Sequence, residues 1–331
     1  MAHEFESGFF VAQAAWHRLG TVLQNPPTVE DAIVKAGLDW RVLEEPIIET
    51  GEETPTLRKH LIRDRDRQLL GTVVHNYVPL QNEDAFHWFD PLLHKGCVKL
   101  EAAGSLQRGQ RVWILARICN LQAEVRYDDL VCPYLLLHNS HNGSTAAWIQ
   151  FTPIRVVCMN TLAGATVNRF GDLGQKKAIC IPHTLTLHEQ LARIQTLVDL
   201  TKREFQFSVE EYLSMENQEL TDELLTAYLG SVLGVRNPAR HPAWEQLLAN
   251  FESGRGNQGK TLWDAYNAVT EWLEHQRETC VEARLISNWF GAGATLRIKA
   301  HTAAIALLKH QTPTSSLTFA AVAGASSTPL R

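Results

Sequence analysis

The sequence predicts an α+β fold, in which an antiparallel sheet built from three hairpins with packed helices is followed by a mostly helical C-terminal region. Two observations support this class. Three pairs of apolar runs are joined by turn-forming residues and separated by short helical segments, without the regular strand–helix–strand alternation of a parallel sheet. After Pro182 the spacing of apolar residues changes to the 3.6-residue period that is typical of helices.

The first predicted hairpin is preceded and followed by helix signals. Thr28 stands before two acidic residues, and the segment ends at Gly37, which predicts a short helix capped by Thr28. The hairpin is expected within 57–78, where two apolar runs flank a charged segment. Asn82 is then expected to cap a helix that ends at Gly96.

The second and third hairpins follow directly. Residues 97–118 contain two apolar runs joined by a turn with two glycines, which predicts the second hairpin. The third, within 133–165, is the feature around which the chain is organised. Its two long apolar arms meet at Asn142-Gly143, a pair typical of tight hairpin turns, and a helix is expected to begin near Asn160.

The rest of the chain is predicted to be helical. Helices are expected at 187–205, 221–232, 242–252, 261–288 and 295–310. The chain therefore divides near residue 182 into a mixed α+β domain, 1–182, and a helical region, 183–311, which packs on it or forms a subdomain. A flexible tail, 312–331, is rich in Ser, Thr and Ala.

Composition and charge limit the class of protein. The 331 residues are 45% hydrophobic and 20% charged, which is typical of a globular protein that needs no metal or disulfide to fold. The absence of a run of about 18 apolar residues argues against a membrane span. Acidic residues near the start, where a signal peptide carries basic ones, predict a cytoplasmic protein. The six cysteines, none in a CxxC pair, are expected to be reduced.

One segment matches the phosphate-loop pattern G-x-x-x-x-G-K-[ST]. In such a loop, backbone N–H groups surround a phosphate, the lysine pairs with its charge, and the hydroxyl holds magnesium. A helical pattern follows the segment, but the pattern before it is also helical, where a buried strand should stand. The alternative is a glycine-rich connection between helices. The residues concerned are Gly254, Gly259, Lys260 and Thr261.

The turn of the third hairpin carries polar residues, namely His138, Asn139, His141 and Asn142. With a nearby cysteine, the two histidines could bind zinc, or Cys158 could act as a nucleophile with a histidine as base. However, the H-x-x-H spacing is not that of a zinc finger or ribbon, and Cys158 stands among apolar residues. We interpret the four polar residues as partners of the turn's own backbone, and we predict no catalytic residue, metal or cofactor.

The segment that follows this hairpin favours nucleic-acid binding. Between residues 133 and 182 the one acidic residue is Asp172, whereas basic residues cluster around an apparent loop, 168–177. Their charges would neutralise phosphates while an aromatic ring stacks on bases; the alternative is a solvated loop. Arg155 stands between apolar residues and therefore requires a partner or a cleft. The predicted nucleic-acid-binding residues are Arg155, Asn160, Arg169, Lys176 and Lys177, with Trp148 for stacking.

Five motifs spread over nearly the whole chain carry a family resemblance. They are WHRLG at 16–20, Tyr77 with QN at 81–82, HNSHNGS at 138–144, TPIRVVCMNTL at 152–162 and TLWDAYNA at 261–268. Together they resemble an uncharacterised family of phage/plasmid-like proteins with a domain of unknown function. The string RVVCMNTL is the most specific of them. In that family a similar glycine-rich segment precedes the last motif, but it does not regularly form a phosphate loop.

The resemblance implies a role in DNA maintenance, recombination or escape from host defence. The predicted fold is also similar to the single-strand annealing recombinase superfamily, which implies a ring that holds single-stranded DNA in a positive groove. We therefore expect a non-enzymatic, homo-oligomeric protein that binds and anneals single-stranded DNA of a phage or plasmid. The alternatives are an enzyme acting on nucleotides or nucleic acid through His138, His141 and Cys158 or through the loop 254–261, and a protein that binds a host-defence or phage protein.

Overall fold

The computed structural model describes residues 5–11, 20–48, 55–155, 160–161, 178–181, 183, 194–277, 284, 287–288 and 291–311. It confirms the predicted α+β class, with antiparallel sheets followed by a helical region. The strands in chain order are β1 (Phe5–Val11), β2 (Thr21–Leu23), β3 (Val42–Ile48), β4 (Pro55–Arg63), β5 (Leu69–Val74), β6 (Val98–Leu106), β7 (Arg111–Ile118), β8 (Ala123–Arg126), β9 (Asp129–Ser140), β10 (Ala147–Arg155), β11 (Asn160–Thr161) and β12 (Ala178–Ile181).

The helices expected at 221–232, 242–252 and 295–310 are present. The helix expected at 187–205 reaches Glu216, and the one expected at 261–288 is α-helical to Glu271 and continues as a π-helix to Gln276. The α-helices in chain order are α1 (Val29–Lys35), α2 (Asn82–His87), α3 (Asp90–His94), α4 (Ile194–Glu216), α5 (Asp222–Leu233), α6 (Trp244–Ser253), α7 (Leu262–Glu271) and α8 (Ala292–Gln311). Thr28 caps α1 as expected, because its hydroxyl accepts from the Asp31 N–H. Asn82, by contrast, is the first residue of α2, and the helix expected up to Gly96 is divided into α2 and α3.

All three predicted hairpins are present. β4 pairs with β5, β6 with β7, and β9 with β10, each antiparallel. The large sheet has the order β11-β10-β9-β7-β6-β1-β2, in which β12 also pairs with β10 and β8 with β9; the short β1–β2 pair is parallel. The prediction that a helix begins near Asn160 was wrong for Asn160 and Thr161. These two residues form β11 and pair with the end of β10, so their backbone groups bond to a neighbouring strand and not along a helix.

The two sides of the large sheet differ, and we call the side that packs on helices the first face. Near β6 and β7 this face contacts α1–α3 and the three-stranded sheet β3-β4-β5. Near β8–β10 it contacts the helical region, where the rings of Phe151 and Phe205 meet edge to face at 6.4 Å between centroids. The helical region thus packs directly on the sheet. The domain boundary near residue 182 stays a prediction, and the tail 312–331 lies outside the described residues.

Strand β3 forms an edge of the small sheet, and its backbone is partly covered. The Val42 N–H donates to Gln81 Oε1 at 2.9 Å, and Gln81 Nε2 donates to the Val42 carbonyl at 3.1 Å. Further along the same strand, Pro46 has no N–H to offer, and the Glu44 carboxylate binds the Lys59 ammonium. The Gln81 amide therefore takes the place that a neighbouring strand would occupy at Val42.

The turn of the third hairpin rests on β5. A Cβ on Gly71 would lie 2.5 Å from the Asn142 Cα, so that only glycine permits this approach. The tight two-residue turn predicted at Asn142-Gly143 was wrong, because the connection between β9 and β10 runs over 141–146; within it Gly143 has a φ of 73° and faces Val73. The two sheets are held together at this point. Among the described helices, none is both long and apolar enough to cross a membrane.

Candidate functional site

Arg155, the last residue of β10, is completely buried. Its guanidinium forms a two-pronged ion pair with Asp129, the first residue of β9, through Nε to Oδ1 at 2.7 Å and Nη2 to Oδ2 at 2.5 Å. Asp129 is only 2% exposed and also accepts from Trp263 Nε1 at 2.9 Å. Planar pairs of this kind are the strong charge-assisted hydrogen bonds of proteins. The partner that the sequence required for Arg155 is therefore Asp129.

The remaining donors of Arg155 bind the connection between α6 and α7. Nη1 donates to the Arg255 carbonyl and to Asn257 Oδ1, both at 3.0 Å, and Nη2 donates to the Gly256 carbonyl at 3.0 Å. The guanidinium also lies 5.4 Å from the centre of the Trp263 ring. The expectation that Arg155 captures DNA phosphates is thus corrected: its charge is buried and joins the central hairpin to the helical region.

Arg126, at the end of β8, extends this network. Its Nη2 donates to Asp264 Oδ1 at 2.7 Å and to Glu216 Oε2 at 2.5 Å. The Thr261 hydroxyl donates to the same Glu216 oxygen at 3.0 Å. Burial raises the pKa of the Glu216 carboxyl, against the opposing charge of Arg126. Charged side chains therefore join β8, α4 and α7 at the end of the sheet where β8 meets β9.

The predicted phosphate loop is occupied by the protein's own carboxylate. The N–H groups of Gln258, Lys260 and Thr261 donate to Asp264, at 3.2, 3.0 and 3.1 Å. Thr261 caps α7 and forms a reciprocal capping box with Asp264. Because this carboxylate fills the position where a phosphate would sit, the arrangement corresponds to the alternative prediction, a glycine-rich connection between helices. Gly254 and Gly259 belong to that connection: φ at Gly259 is 69°.

We therefore expect Mg²⁺–ATP to leave the melting temperature of the protein unchanged. Lys260 is exposed, so Lys260→Ala should change the free energy of unfolding by no more than about 0.5 kcal/mol. Thr261→Ala should lower it by about 1–2 kcal/mol, because a helix cap is lost. Thermal melts with and without ATP test this. A melting temperature that rises with ATP in the natural protein but not in Lys260→Ala would restore the phosphate-loop hypothesis.

The polar residues at the turn of the third hairpin satisfy neighbouring backbone and side-chain groups. Asn82 Nδ2 donates to the carbonyls of Leu38 and Trp40, so Asn82 Oδ1 accepts from His141 Nε2 at 3.0 Å. Asn139 Nδ2 donates to the Leu80 carbonyl at 3.4 Å. Asn139 Oδ1 accepts from the Ser140 N–H at 2.8 Å and Asn142 Oδ1 from the Ser144 N–H at 3.0 Å, so these two side chains bind backbone at the turn as expected, whereas His141 binds the Asn82 side chain.

The two histidines of this turn are kept neutral. Burial lowers the pKa of both His138 and His141 to about 3. Asn142 Nδ2 donates to Gln110 Oε1 at 3.1 Å, and Asn142 Oδ1 accepts from Ser140 Oγ at 2.6 Å. Cys158, the nucleophile of the hydrolase alternative, lies outside the described residues. Within those residues, no group of three or more histidine, cysteine or acidic side chains is placed to hold a metal ion.

The opposite side of the large sheet, which we call the second face, combines basic, aromatic and polar side chains. Residues opposite one another on paired strands share a face, so the strand register gives its rows. They are Trp113–His138–Trp148, Leu115–Leu136–Gln150 and Lys99–Arg117–Tyr134–Thr152, with Arg111 on the same side one step beyond Trp113. The two apolar clusters on this face contain, among described residues, strand residues alone.

The charged residues of the second face are the accessible ones. Lys99 is exposed, and Arg111, Arg117 and Trp148 are partly exposed. A nearby acid, Glu101, accepts from the Tyr134 hydroxyl at 2.6 Å and lies 3.6 Å from Arg117. Beneath them, Gln150 Nε2 and Thr152 Oγ1 are buried with no hydrogen-bond partner in the part of the chain that the structure describes. The second face thus carries accessible positive charges above a layer of buried polar side chains.

The sequence predicted only some of the residues of the second face. Trp148, predicted to stack on bases, lies on the second face. Asn160 lies in β11, and Arg169, Lys176 and Lys177 fall outside the described residues. Lys99, Arg111 and Arg117 were missed. The signal that would have found two of them is the alternation in RVWILAR, which puts Arg111, Trp113 and Arg117 on one side of a strand.

Comparisons with known proteins give one match. A family model described as a domain of unknown function, DUF932, matches residues 69–310, from the start of β5 to α8. This range contains both the buried ion-pair network and the second face. No curated protein and no solved structure matches the chain.

Proposed function

The chain belongs to the family of the domain of unknown function DUF932, and from this premise we propose that it binds single-stranded DNA on the second face and promotes strand annealing. The proposed action is non-enzymatic and belongs to the recombination or maintenance of a phage or plasmid. Copies of the chain associate, in a ring by analogy with the single-strand annealing recombinases, and so present one continuous DNA track. The motif resemblance supports the mobile-element context, and the second face supports the binding chemistry.

The observation that carries the proposal is the combination of Arg111, Lys99 and Arg117 with aromatic rings on one side of an antiparallel sheet. Phosphates bind to basic side chains with release of counterions, and bases stack on aromatic rings irrespective of sequence. Trp148 is a partly exposed ring at this surface. Trp113 lies beneath the surface, with its ring centroid 5.8 Å from that of Phe10.

The dimensions of the second face suit an extended strand. Arg111 and Arg117 stand at opposite ends of β7, which separates them by roughly 20 Å at about 3.4 Å per residue. Lys99 lies directly opposite Arg117 on β6 and doubles the positive charge at that end. A DNA backbone following β7 would therefore meet basic groups at both ends and the partly exposed Trp148 ring near the first of them.

The predicted basic loop remains part of the proposal. Lys176 and Lys177 directly precede β12 in sequence, and Ala178 at the start of β12 pairs with Gln150 of β10. Gln150 itself belongs to the second face. Sequence adjacency therefore links these two lysines to the surface formed by Lys99 and Arg117, and we keep Arg169, Lys176 and Lys177 as proposed phosphate contacts. Arg155 is no longer among them, because it is buried.

Removing two charges from the second face should reduce both affinity for single-stranded DNA and its salt dependence. In Lys99→Gln/Arg117→Gln, the slope of log Kd against log salt should become smaller by about 1.4, since each contact with a single strand contributes about 0.7. Glutamine keeps two of the three methylenes of Arg117 and two of the four of the exposed Lys99, so packing changes little. Fluorescence anisotropy with a labelled oligonucleotide over a salt series measures the slope, and mixing complementary strands measures annealing.

The matched control is Arg58→Gln/Arg65→Gln, which removes two exposed charges from β4 and the turn after it, outside the second face. This control should bind with the natural slope, although its net charge equals that of the first variant. Binding that is absent at low salt, or equal salt slopes in both double variants, would reject the second face as the DNA surface.

A further inference from the structure

Two cysteines face each other at the end of the second hairpin. Val98 is paired with Ile118, and the ladder continues by one residue, because the Cys119 N–H donates to the Cys97 carbonyl at 2.8 Å. Opposite residues of antiparallel strands have Cα atoms about 4.5–5.5 Å apart. That spacing lies within the range of about 4.4–6.8 Å over which a disulfide forms without backbone movement. The register therefore predicts that the Cα atoms of Cys97 and Cys119 are separated by a distance that a disulfide can span.

Both thiols are free and reachable from solvent. Cys97 and Cys119 are partly exposed, whereas Cys132 is buried. Access and thiolate character decide which cysteines react. Burial raises the pKa of the Cys119 thiol, and the nearby charges of Lys99 and Arg117 act in the opposite direction. Reaction at this pair is thus expected to become faster as the pH rises.

From this geometry we propose that Cys97 and Cys119 are a site of reversible oxidation, joined as a disulfide by a small-molecule disulfide oxidant. One thiolate attacks the oxidant, forms a mixed disulfide and releases one small thiol. The second cysteine then attacks the protein sulfur of that mixed disulfide and releases the other small thiol. The protein loses two hydrogen atoms, the oxidant gains them, and a reducing thiol reverses both steps.

The disulfide would fix the junction where several elements meet. The Cys97 N–H donates to the Leu92 carbonyl of α3, and Cys119 begins the connection from β7 to β8. A covalent bond between them would tie the end of α3 to that connection. It would also lock the register of the neighbouring pair Lys99–Arg117. Oxidation thereby stiffens one end of the second face without changing its charge. The site itself does not depend on DNA binding.

Oxidation of the folded protein with oxidised glutathione, followed by non-reducing peptide mass spectrometry, tests the proposal. The expected product is a peptide cross-linked through Cys97 and Cys119, formed at least about tenfold more than any cross-link containing buried Cys132. Its yield should rise with pH and return to zero after reduction. Amide exchange at 119–122 should become slower in the oxidised form.

Three variants serve as controls. Cys97→Ser and Cys119→Ser should each abolish the cross-link, and Cys132→Ala should leave it intact. A folded, natural protein that gives no Cys97–Cys119 cross-link, or mainly cross-links with other cysteines, would overturn the inference. Because the readout is a peptide mass, this result is independent of whether the protein binds single-stranded DNA.

Discussion

Arg155→Met is expected to lower the free energy of unfolding by about 3–5 kcal/mol, because it leaves a buried carboxylate without its main partner. Asp129 is 2% exposed and would keep a single hydrogen bond from Trp263, at 2.9 Å, with Arg126 no nearer than 4.0 Å. The Arg255 carbonyl would lose its Arg155 donor as well, and the Gly256 carbonyl would be left with the longer contact from Arg126 Nη1, at 3.5 Å. Methionine fills the apolar part of the space, so the loss reports on charge and hydrogen bonds.

Urea denaturation measures this loss, and a double-mutant cycle identifies its cause. Arg155→Met combined with Asp129→Leu should be less destabilised than the sum of the two single variants, because no charge is then left unpaired. Arg58→Met, at an exposed position of β4, should change stability by less than about 0.5 kcal/mol. A loss below about 1 kcal/mol in Arg155→Met, or additive single effects, would contradict the internal role assigned to Arg155.

Asp264→Ala should lower the free energy of unfolding by about 3 kcal/mol or more, since it removes the acceptor of several donors at once. This fully buried carboxylate accepts from the N–H groups of Lys260 and Thr261 and from Arg126 Nη2. Each buried donor left without an acceptor costs about 1–3 kcal/mol. The loop before α7 should then lose its fixed conformation.

Denaturation gives the size of this effect, and limited proteolysis gives its place. New cleavage should fall within 254–261 in Asp264→Ala, whereas Asp264→Asn, which keeps an acceptor oxygen, should be cut more slowly. Glu223→Ala is the matched control, because Glu223 is an exposed acid in the first turn of α5, beside a threonine cap. If Asp264→Ala were no more destabilised than Glu223→Ala, the carboxylate would not be what organises the loop.

Local patterns in the sequence were sufficient for much of the fold. Alternation and turn residues located the three hairpins, and a threonine cap located the start of α1. The sequence failed where a distant partner decides the conformation. Asn160 follows a strong strand and precedes an apolar pattern of helical type, yet it pairs with Arg155 as β11. No local signal distinguishes a short closing strand from the first turn of a helix.

The candidate site was predicted less completely, for the same reason. The sequence shows that Arg155 needs a partner, but Asp129 is 26 residues away and the Gly256 carbonyl 101 residues away. Likewise, the motif at 254–261 contains every residue of a phosphate loop, and only the fold reveals that Asp264 fills it. The second face required the pairing of β6, β7, β9 and β10 before its separate basic and aromatic residues formed one surface.

The covered edge of β3 bears on how copies of this chain can associate. An open strand edge is a template for strand addition by another molecule, and this is a common route to fibres. Here the Gln81 amide already pairs with Val42, Pro46 offers no N–H, and Glu44 places a charge between them. Extension of the small sheet from one copy into the next is therefore opposed at β3. The assembly that we propose would instead be held by side-chain surfaces, which can close into a ring rather than grow without limit.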